Sequence, residues 1–66
     1  MKPQKKRDVL KALKANGWRL VRTTGGHEWW EGPNEQREAI PRHNEISAGV
    51  VAKLAKKLET IPNSWK

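Results

Sequence analysis

The chain has 66 residues, and its 14 lysines and arginines outnumber its seven acidic residues to give a formal net charge of +7. The absence of cysteine excludes disulfides and thiolate-bound metals, and no run approaches the roughly 20 apolar residues of a membrane span. A chain this short forms one domain with a limited core, which favours a stabilising partner protein. The basic balance is typical of nucleic-acid binders, although an acidic protein or an anionic membrane surface also fits it.

The first predicted element is a helix over residues 4–15. Its apolar residues recur with the 3.6-residue period of a helix and are surrounded by basic residues: Val9, Leu10 and Leu13. The Asn16-Gly17 pair predicts the end of this helix, because glycine readily adopts the left-handed conformation that follows a C-terminal turn.

Three strands are predicted next. Residues 18–24 are rich in aromatic and β-branched side chains, which favour a strand. The Gly25-Gly26 pair supplies a tight turn, and a second strand follows over residues 27–31. After a polar loop, residues 37–40 form a short third strand that Pro41 closes. The sequence therefore predicts an antiparallel sheet at the centre of the chain.

A second helix is predicted over residues 47–58, with Ser47 as its N-cap. Its apolar stripe contains Val50, Val51, Leu54 and Leu58. The tail over residues 60–66 is expected to be extended or loose, and Trp65 within it either folds back onto the domain or docks on a partner. We expect a single domain over residues 1–66, with its ordered core at about 4–58. Its fold class is α+β: a three-stranded antiparallel sheet with both helices on one face and the other face uncovered.

Two adjacent tryptophans mark the second strand. Trp29 and Trp30 point to opposite faces of the sheet, because side chains alternate along a strand. One of them fills the core, and the other lies on the open face, where it is free to stack on a base or contact a protein. Alternation does not say which, since both faces carry a tryptophan. Trp18 is expected in the core together with Leu20.

Candidates for catalysis are few. The sequence contains no glycine-rich phosphate loop and no notable pair of carboxylates, and its two histidines lack the further ligands of a metal site. RNA can be cleaved by its own 2′-hydroxyl, so a protein needs only to move protons and stabilise the phosphate charge. Histidine suits proton transfer because its unperturbed pKa is about 6.5, and cations suit the phosphate. His27, presented by Gly25 and Gly26, is the candidate acid or base; the alternative is an ordinary, partly exposed strand histidine.

Basic residues are the candidates for RNA contact. Arg42 and His43 precede the second helix, whose N-terminus attracts phosphate, although such loops also serve only to cap helices. The other candidates share only their positive charge: Lys5, Lys6, Arg22, Lys53, Lys56 and Lys57. The helical lysines have a simpler interpretation as a solvated face, and cations near a helix C-terminus also stabilise its dipole.

Several short motifs follow one another along the chain: Asn16-Gly17-Trp18, Leu20-Val21-Arg22, Gly25-Gly26-His27, Ile40-Pro41-Arg42-His43, Glu45-Ile46, Gly49-Val50-Val51 and Leu54. Their order and spacing resemble those of the HicA toxins of bacterial toxin–antitoxin modules. Each motif alone is weak, and the resemblance depends on their collinearity over about residues 5–58.

The resemblance implies a fold similar to double-stranded-RNA-binding domains, with the order α-β-β-β-α. It implies an mRNA-cleaving endoribonuclease that uses no metal or cofactor and is neutralised by a HicB antitoxin. The family's catalytic histidine lies in a Gly-Ser-His segment after the first strand and corresponds to His27. The serine position holds Gly26 in this chain, which puts in doubt any orientation of RNA by that hydroxyl.

Two other functions stay open at this point. A non-catalytic RNA-binding module of the same fold would explain the charge and the uncovered sheet face without proton chemistry. A protein-interaction module would use the charge to bind an acidic partner. The basic N-terminal residues are not followed by the apolar segment of a signal peptide, so a cytoplasmic protein is expected.

Overall fold

The computed structural model describes residues 1–65, in which a helix, three antiparallel strands and a second helix follow one another. The α+β fold class and the element order agree with the prediction. Two very short strands and a final 3-10 turn were not foreseen. In chain order the elements are β1 Gln4–Lys5, α1 Lys6–Ala15, β2 Arg19–Thr24, β3 His27–Glu31, β4 Arg37–Pro41, β5 Glu45–Ile46, α2 Ala48–Ala55 and the 3-10 turn Asn63–Trp65.

Helix α1 ends where the glycine predicts. Gly17 adopts a φ of 81°, and the N–H of Trp18 donates to the carbonyl of Leu13 at 2.9 Å, which closes the last turn. The helix begins two residues later than expected. Gln4 and Lys5 instead form β1, which pairs antiparallel with β5, because their extended backbone finds hydrogen-bond partners there.

The central sheet has the order β2-β3-β4 and is antiparallel throughout. Gly25 and Gly26 connect β2 to β3, so that Thr24 lies opposite His27. Gly25 has a φ of 50° and Gly26 does not have a positive φ, which is the pattern of a type II′ turn. Strand β4 pairs with β3 so that Pro41 lies opposite His27. The hairpin turn and the end of β4 therefore lie side by side.

Both helices pack on one face of this sheet and enclose the core. Trp30, only 3% exposed, is the tryptophan on the covered face, and Trp29 lies on the open face opposite Ala39. The structure thus decides between the two tryptophans, which the sequence did not. The buried apolar residues are Val9, Ala12, Leu13, Trp18, Trp30, Ile40, Ile46, Val51, Leu54, Leu58 and Trp65.

One core prediction is wrong. Trp18 is buried as expected, but Leu20 is 47% exposed. Strand β2 lies at the edge of the sheet, and its pairing with β3 shifts register between Leu20 and Arg22. An edge strand with a bulge twists away from the helices, so the helices leave Leu20 uncovered.

Helix α2 is capped as predicted but is shorter. The Ser47 hydroxyl accepts a hydrogen bond from the N–H of Val50 at 3.4 Å, and the helix ends at Ala55. Leu58 is nevertheless buried, and its N–H bonds to the carbonyl of Leu54 at 3.0 Å. The apolar pattern therefore continues through a turn that is no longer helix.

The C-terminal segment folds back onto the domain. Residues 63–65 form a 3-10 turn where extended or loose chain was expected, and Trp65 is completely buried. The Asn16 side chain fixes this segment to the end of α1, because its amide donates to the carbonyl of Thr60 and accepts from the N–H of the same residue, both at 2.9 Å. The Gln4 side chain donates to the carbonyl of Ser64 at 3.1 Å. The core thus extends beyond the expected limit of residue 58.

Gly32 is a position where a side chain cannot be added. A Cβ there would lie 2.6 Å from Oε1 of Gln36 and 2.7 Å from the Trp18 ring. We expect Gly32→Ala to lower the free energy of unfolding by about 1–3 kcal/mol, as overpacking does. Gly49→Ala is the matched control: it lies in α2 with nothing within 4 Å and should raise stability by up to about 1 kcal/mol. Urea unfolding measures both, and equal stability of the two variants would contradict the prediction.

Candidate nucleic-acid interface

The glycine hairpin presents His27 at one end of the sheet. The His27 side chain is exposed. The carbonyl of Gly26 accepts a hydrogen bond from the N–H of Arg42 at 2.9 Å, so the loop after β4 lies directly beside the hairpin. His43 is the next residue in this loop, and both its side chain and that of Arg42 are exposed.

The start of α1 joins the same end of the molecule. The N–H of Lys6 donates to the carbonyl of Asn44 at 2.8 Å, which places Lys5 and Lys6 next to the loop after β4. The structure therefore brings five of the candidate residues that the sequence singled out to one end of the molecule, on the glycine hairpin, the loop after β4 and the start of α1. We call this cluster the basic end: Lys5, Lys6, His27, Arg42 and His43.

A partly buried carboxylate organises the basic end. Glu28 accepts a hydrogen bond from Nζ of Lys6 at 2.8 Å and another from the indole N–H of Trp30 at 3.3 Å. The Lys6 hydrogen bond, helped by the Trp30 bond and the nearby charge of Arg42, lowers the pKa of Glu28 despite its partial burial. Lys6 therefore fixes the start of α1 to β3, and much of its charge is neutralised within the protein.

This ion pair makes stability depend on pH. Because folding lowers the pKa of Glu28, its stabilising contribution is present above the usual carboxyl range and is lost as the pH falls through the folded-state value. We expect Glu28→Gln to lower the free energy of unfolding by about 1–2 kcal/mol at neutral pH and to weaken its loss on acidification. Glu59→Gln, at an exposed position, is the control. Thermal melts between neutral and acidic pH measure this, and an unchanged acid dependence in Glu28→Gln would contradict it.

Lys53 in α2 and Lys56 and Lys57 in the turn after it lie away from the basic end. The carboxylate of Glu38, which is only 8% exposed, forms ion pairs with Nζ of Lys57 at 2.7 Å and with Nζ of Lys53 at 3.5 Å. Glu38 lies near the start of β4, whereas Pro41, opposite His27, ends that strand. Both lysines therefore neutralise a buried carboxylate away from the basic end, and Lys56 is exposed in the turn that follows α2. Sequence reasoning missed their role because nothing in the pattern marks Glu38 as buried.

The open face of the sheet carries a second feature that the sequence left undecided. Arg22 lies opposite Trp29, and its guanidinium carbon is 6.0 Å from the centre of the Trp29 ring, at the limit of a cation–π contact. The indole N–H of Trp29 donates to the hydroxyl of Thr24 at 3.2 Å. Arg22, predicted as a site residue, thus lies on the same face as His27, and Trp29 was missed because its face could not be assigned.

The position of the glycine turn allows one simple test of Gly26. A Cβ at Gly26 meets nothing within 4 Å, and its φ is not in the left-handed region. We expect Gly26→Ser to leave the free energy of unfolding within about 0.5 kcal/mol of the parent. Gly25→Ser is the matched control, and its φ of 50° makes it strained, at a cost of about 1–2 kcal/mol. Equal losses in the two variants, measured by urea unfolding, would contradict this expectation.

Among residues 1–65, no group of three or more histidine, cysteine or acidic side chains is placed to hold a metal ion. In the same part of the chain, no helix is both long enough and apolar enough to cross a membrane. The basic end offers two exposed imidazoles, those of His27 and His43, together with the cations of Lys5, Lys6 and Arg42.

These features define a class of small basic α+β domain, in which a glycine hairpin presents a histidine beside a basic loop. The family model described as the HicA toxin of bacterial toxin–antitoxin matches residues 7–59, from the first turn of α1 to just beyond α2. The chain therefore belongs to the HicA toxin family. No curated protein and no solved structure matches the chain significantly.

Proposed function

We propose that this protein is the toxin of a toxin–antitoxin module and acts as an endoribonuclease on mRNA in the cytoplasm, without a metal ion. The observation that carries the proposal is the exposed imidazole of His27 on the glycine hairpin, beside Arg42. Membership of the HicA family supports the toxin role, and the net charge of +7 supports a polyanionic substrate.

The proposed reaction is a transesterification within the RNA. The 2′-oxygen attacks the adjacent phosphorus, the bond from phosphorus to the 5′-oxygen breaks, and a 2′,3′-cyclic phosphate forms. One proton leaves the 2′-hydroxyl and one is delivered to the departing 5′-oxygen. His27 performs one of these transfers, as acid or as base, and water performs the other. No protein nucleophile is required, which agrees with the absence of cysteine.

Cations of the basic end position the RNA. Arg42 lies next to the hairpin turn through its hydrogen bond to Gly26, and its guanidinium can bind a phosphate in bidentate fashion. Lys5 and His43 are exposed in the same region. Fixed cations near the reacting phosphate stabilise the charge that develops in the transition state. Arg42 is therefore the strongest candidate for phosphate contact, and Lys5 and His43 extend the interface.

The antitoxin we propose is a HicB-like protein with an acidic surface that covers the basic end. Complementary charge steers such partners together and raises the association rate. A protein seated there would exclude RNA from His27 and thereby silence the toxin. Binding of such a partner would also add stability to a domain whose small size limits its own core.

The proposal is tested by incubating the purified protein with single-stranded RNA in the presence of a chelator. We expect cleavage with 2′,3′-cyclic phosphate ends, and no cleavage of the same RNA carrying 2′-O-methyl groups. Cleavage that stops with the chelator would overturn the metal-independent mechanism. Binding that weakens steeply with salt but never leads to cleavage would instead identify a non-catalytic RNA-binding module.

A further inference from the structure

We propose that Trp29 and Arg22 form a stacking subsite for one unpaired RNA base, next to His27 on the open face of the sheet. The inference deepens the proposed function and rests on it in one respect, namely that the ligand is RNA. It assigns a task to a tryptophan that contributes nothing to the core, because the buried tryptophan of β3 is Trp30.

The first argument is position. His27 and Trp29 are two residues apart on β3, so they share a face and their Cα atoms lie about 7 Å apart along the strand. That separation is comparable with the length of one nucleotide. Thr24 pairs with His27 and Arg22 pairs with Trp29, so the two pairs form adjacent rows of the hairpin. A base on the indole therefore places the neighbouring phosphate within reach of the imidazole.

The second argument is that the indole is held in place. Its N–H donates to the hydroxyl of Thr24 at 3.2 Å, the residue that faces His27 across the hairpin. The polar edge of the ring therefore leans toward the glycine turn. On the other neighbouring strand, β4, Trp29 is paired with Ala39, whose side chain is small. A ring that is already fixed loses less conformational entropy on binding, which favours recognition.

The third argument is charge. The two other arginines of this face and its edge, Arg19 and Arg37, are each 3.2 Å from the carboxylate of Glu31. Arg22 differs, because no carboxylate lies within 4 Å of it in the part of the chain that the structure describes. An uncompensated guanidinium beside an aromatic ring suits an anionic ligand with a flat base. Arginine planes and aromatic rings are the groups on which unpaired bases stack.

The experiment measures the affinity of the intact protein for short 2′-O-methyl single-stranded RNAs, which 2′-hydroxyl chemistry cannot cleave. The oligonucleotides form a set in which each member lacks one base. We expect one missing base to weaken binding about 5- to 150-fold, the range for one stacked base. In Trp29→Ala the full-length RNA should bind with this reduced affinity, and removal of that same base should then have little further effect.

Three further arms complete the test. Trp29→Phe should retain most of the affinity because it keeps an aromatic face. Leu20→Ala removes an exposed apolar side chain from β2, on the face opposite Trp29, and should leave affinity unchanged. A duplex of the same sequence should bind Trp29→Ala and the parent equally, since its bases are not free to stack. Circular dichroism confirms that each variant is folded.

Unchanged affinity of folded Trp29→Ala for every single-stranded oligonucleotide would overturn the inference and leave the indole as a contact for a protein. Equal losses from base removal in the parent and in Trp29→Ala would overturn it as well. The proposed function fails separately, through absence of cleavage of unmodified RNA. A base-dependent role of Trp29 without cleavage would support the subsite and reject the nuclease.

Discussion

Replacing His27 by alanine is expected to reduce RNA cleavage by about 10²- to 10⁴-fold, the usual contribution of a general acid or base. The imidazole is exposed at the start of β3 and makes no contact that the core requires. The melting temperature should therefore stay close to that of the parent. Affinity for uncleavable RNA should change by only a few fold, because the cations that bind phosphate are retained. Expression of the variant should no longer arrest growth.

His43→Ala is the matched control for this prediction. Both histidines are exposed, and both belong to the basic end, so the two variants remove the same chemical group from neighbouring positions. We expect His43→Ala to retain cleavage within several fold of the parent, with any loss appearing in RNA affinity. Cleavage by folded His27→Ala at the parental rate would remove His27 from the mechanism.

Replacing Trp65 by alanine is expected to remove a large part of the protein's free energy of unfolding. Trp65 is completely buried, and a buried tryptophan replaced by alanine costs about 3–5 kcal/mol. A domain of this length has a total stability of roughly 3–10 kcal/mol. The cavity would also loosen the tail from α1, where Pro62, Ser64 and Trp65 line a common groove with Asp8, Lys11 and Ala12. Thermal melting followed by circular dichroism measures the loss.

Trp65→Phe separates packing from hydrogen bonding. The indole N–H of Trp65 is buried and finds no acceptor among residues 1–65, and an unpaired buried donor is costly, at about 1–3 kcal/mol. Phenylalanine removes this donor and keeps most of the apolar contact. We therefore expect Trp65→Phe to be far more stable than Trp65→Ala. Equal stability of the alanine variant and the parent would show that the tail does not contribute to the core.

The fold was predictable because its signals are local. Gly17 and the Gly25-Gly26 pair act through their own backbone freedom, Ser47 through its own hydroxyl, and the helices through their own periodicity. Each of these elements appears in the structure within a few residues of the expected place. The proximity of His27 and Arg42 at the hairpin could be predicted only in part. The two residues are 15 positions apart in sequence, and it is the pairing of β3 with β4 that brings them together.

The features that the sequence did not predict depend on tertiary contacts, which no local pattern contains. Leu20 has the apolar character of a core residue, but the edge position and the bulge of β2 leave it exposed. Trp29 and Trp30 are indistinguishable until the helices select a face. Lys53 and Lys57 resemble a solvated basic surface, yet they compensate Glu38. Burial of Trp65 is accompanied by a long-range contact, the two hydrogen bonds between Asn16 and Thr60, which lie 44 positions apart.

The closure of the core by Trp65 has a consequence for synthesis on the ribosome. The side chains that surround the hydrophobic interior include residues of α1, the sheet and α2, but the interior stays open until position 65 joins them. A nascent chain therefore completes its native packing only after that residue has left the exit tunnel.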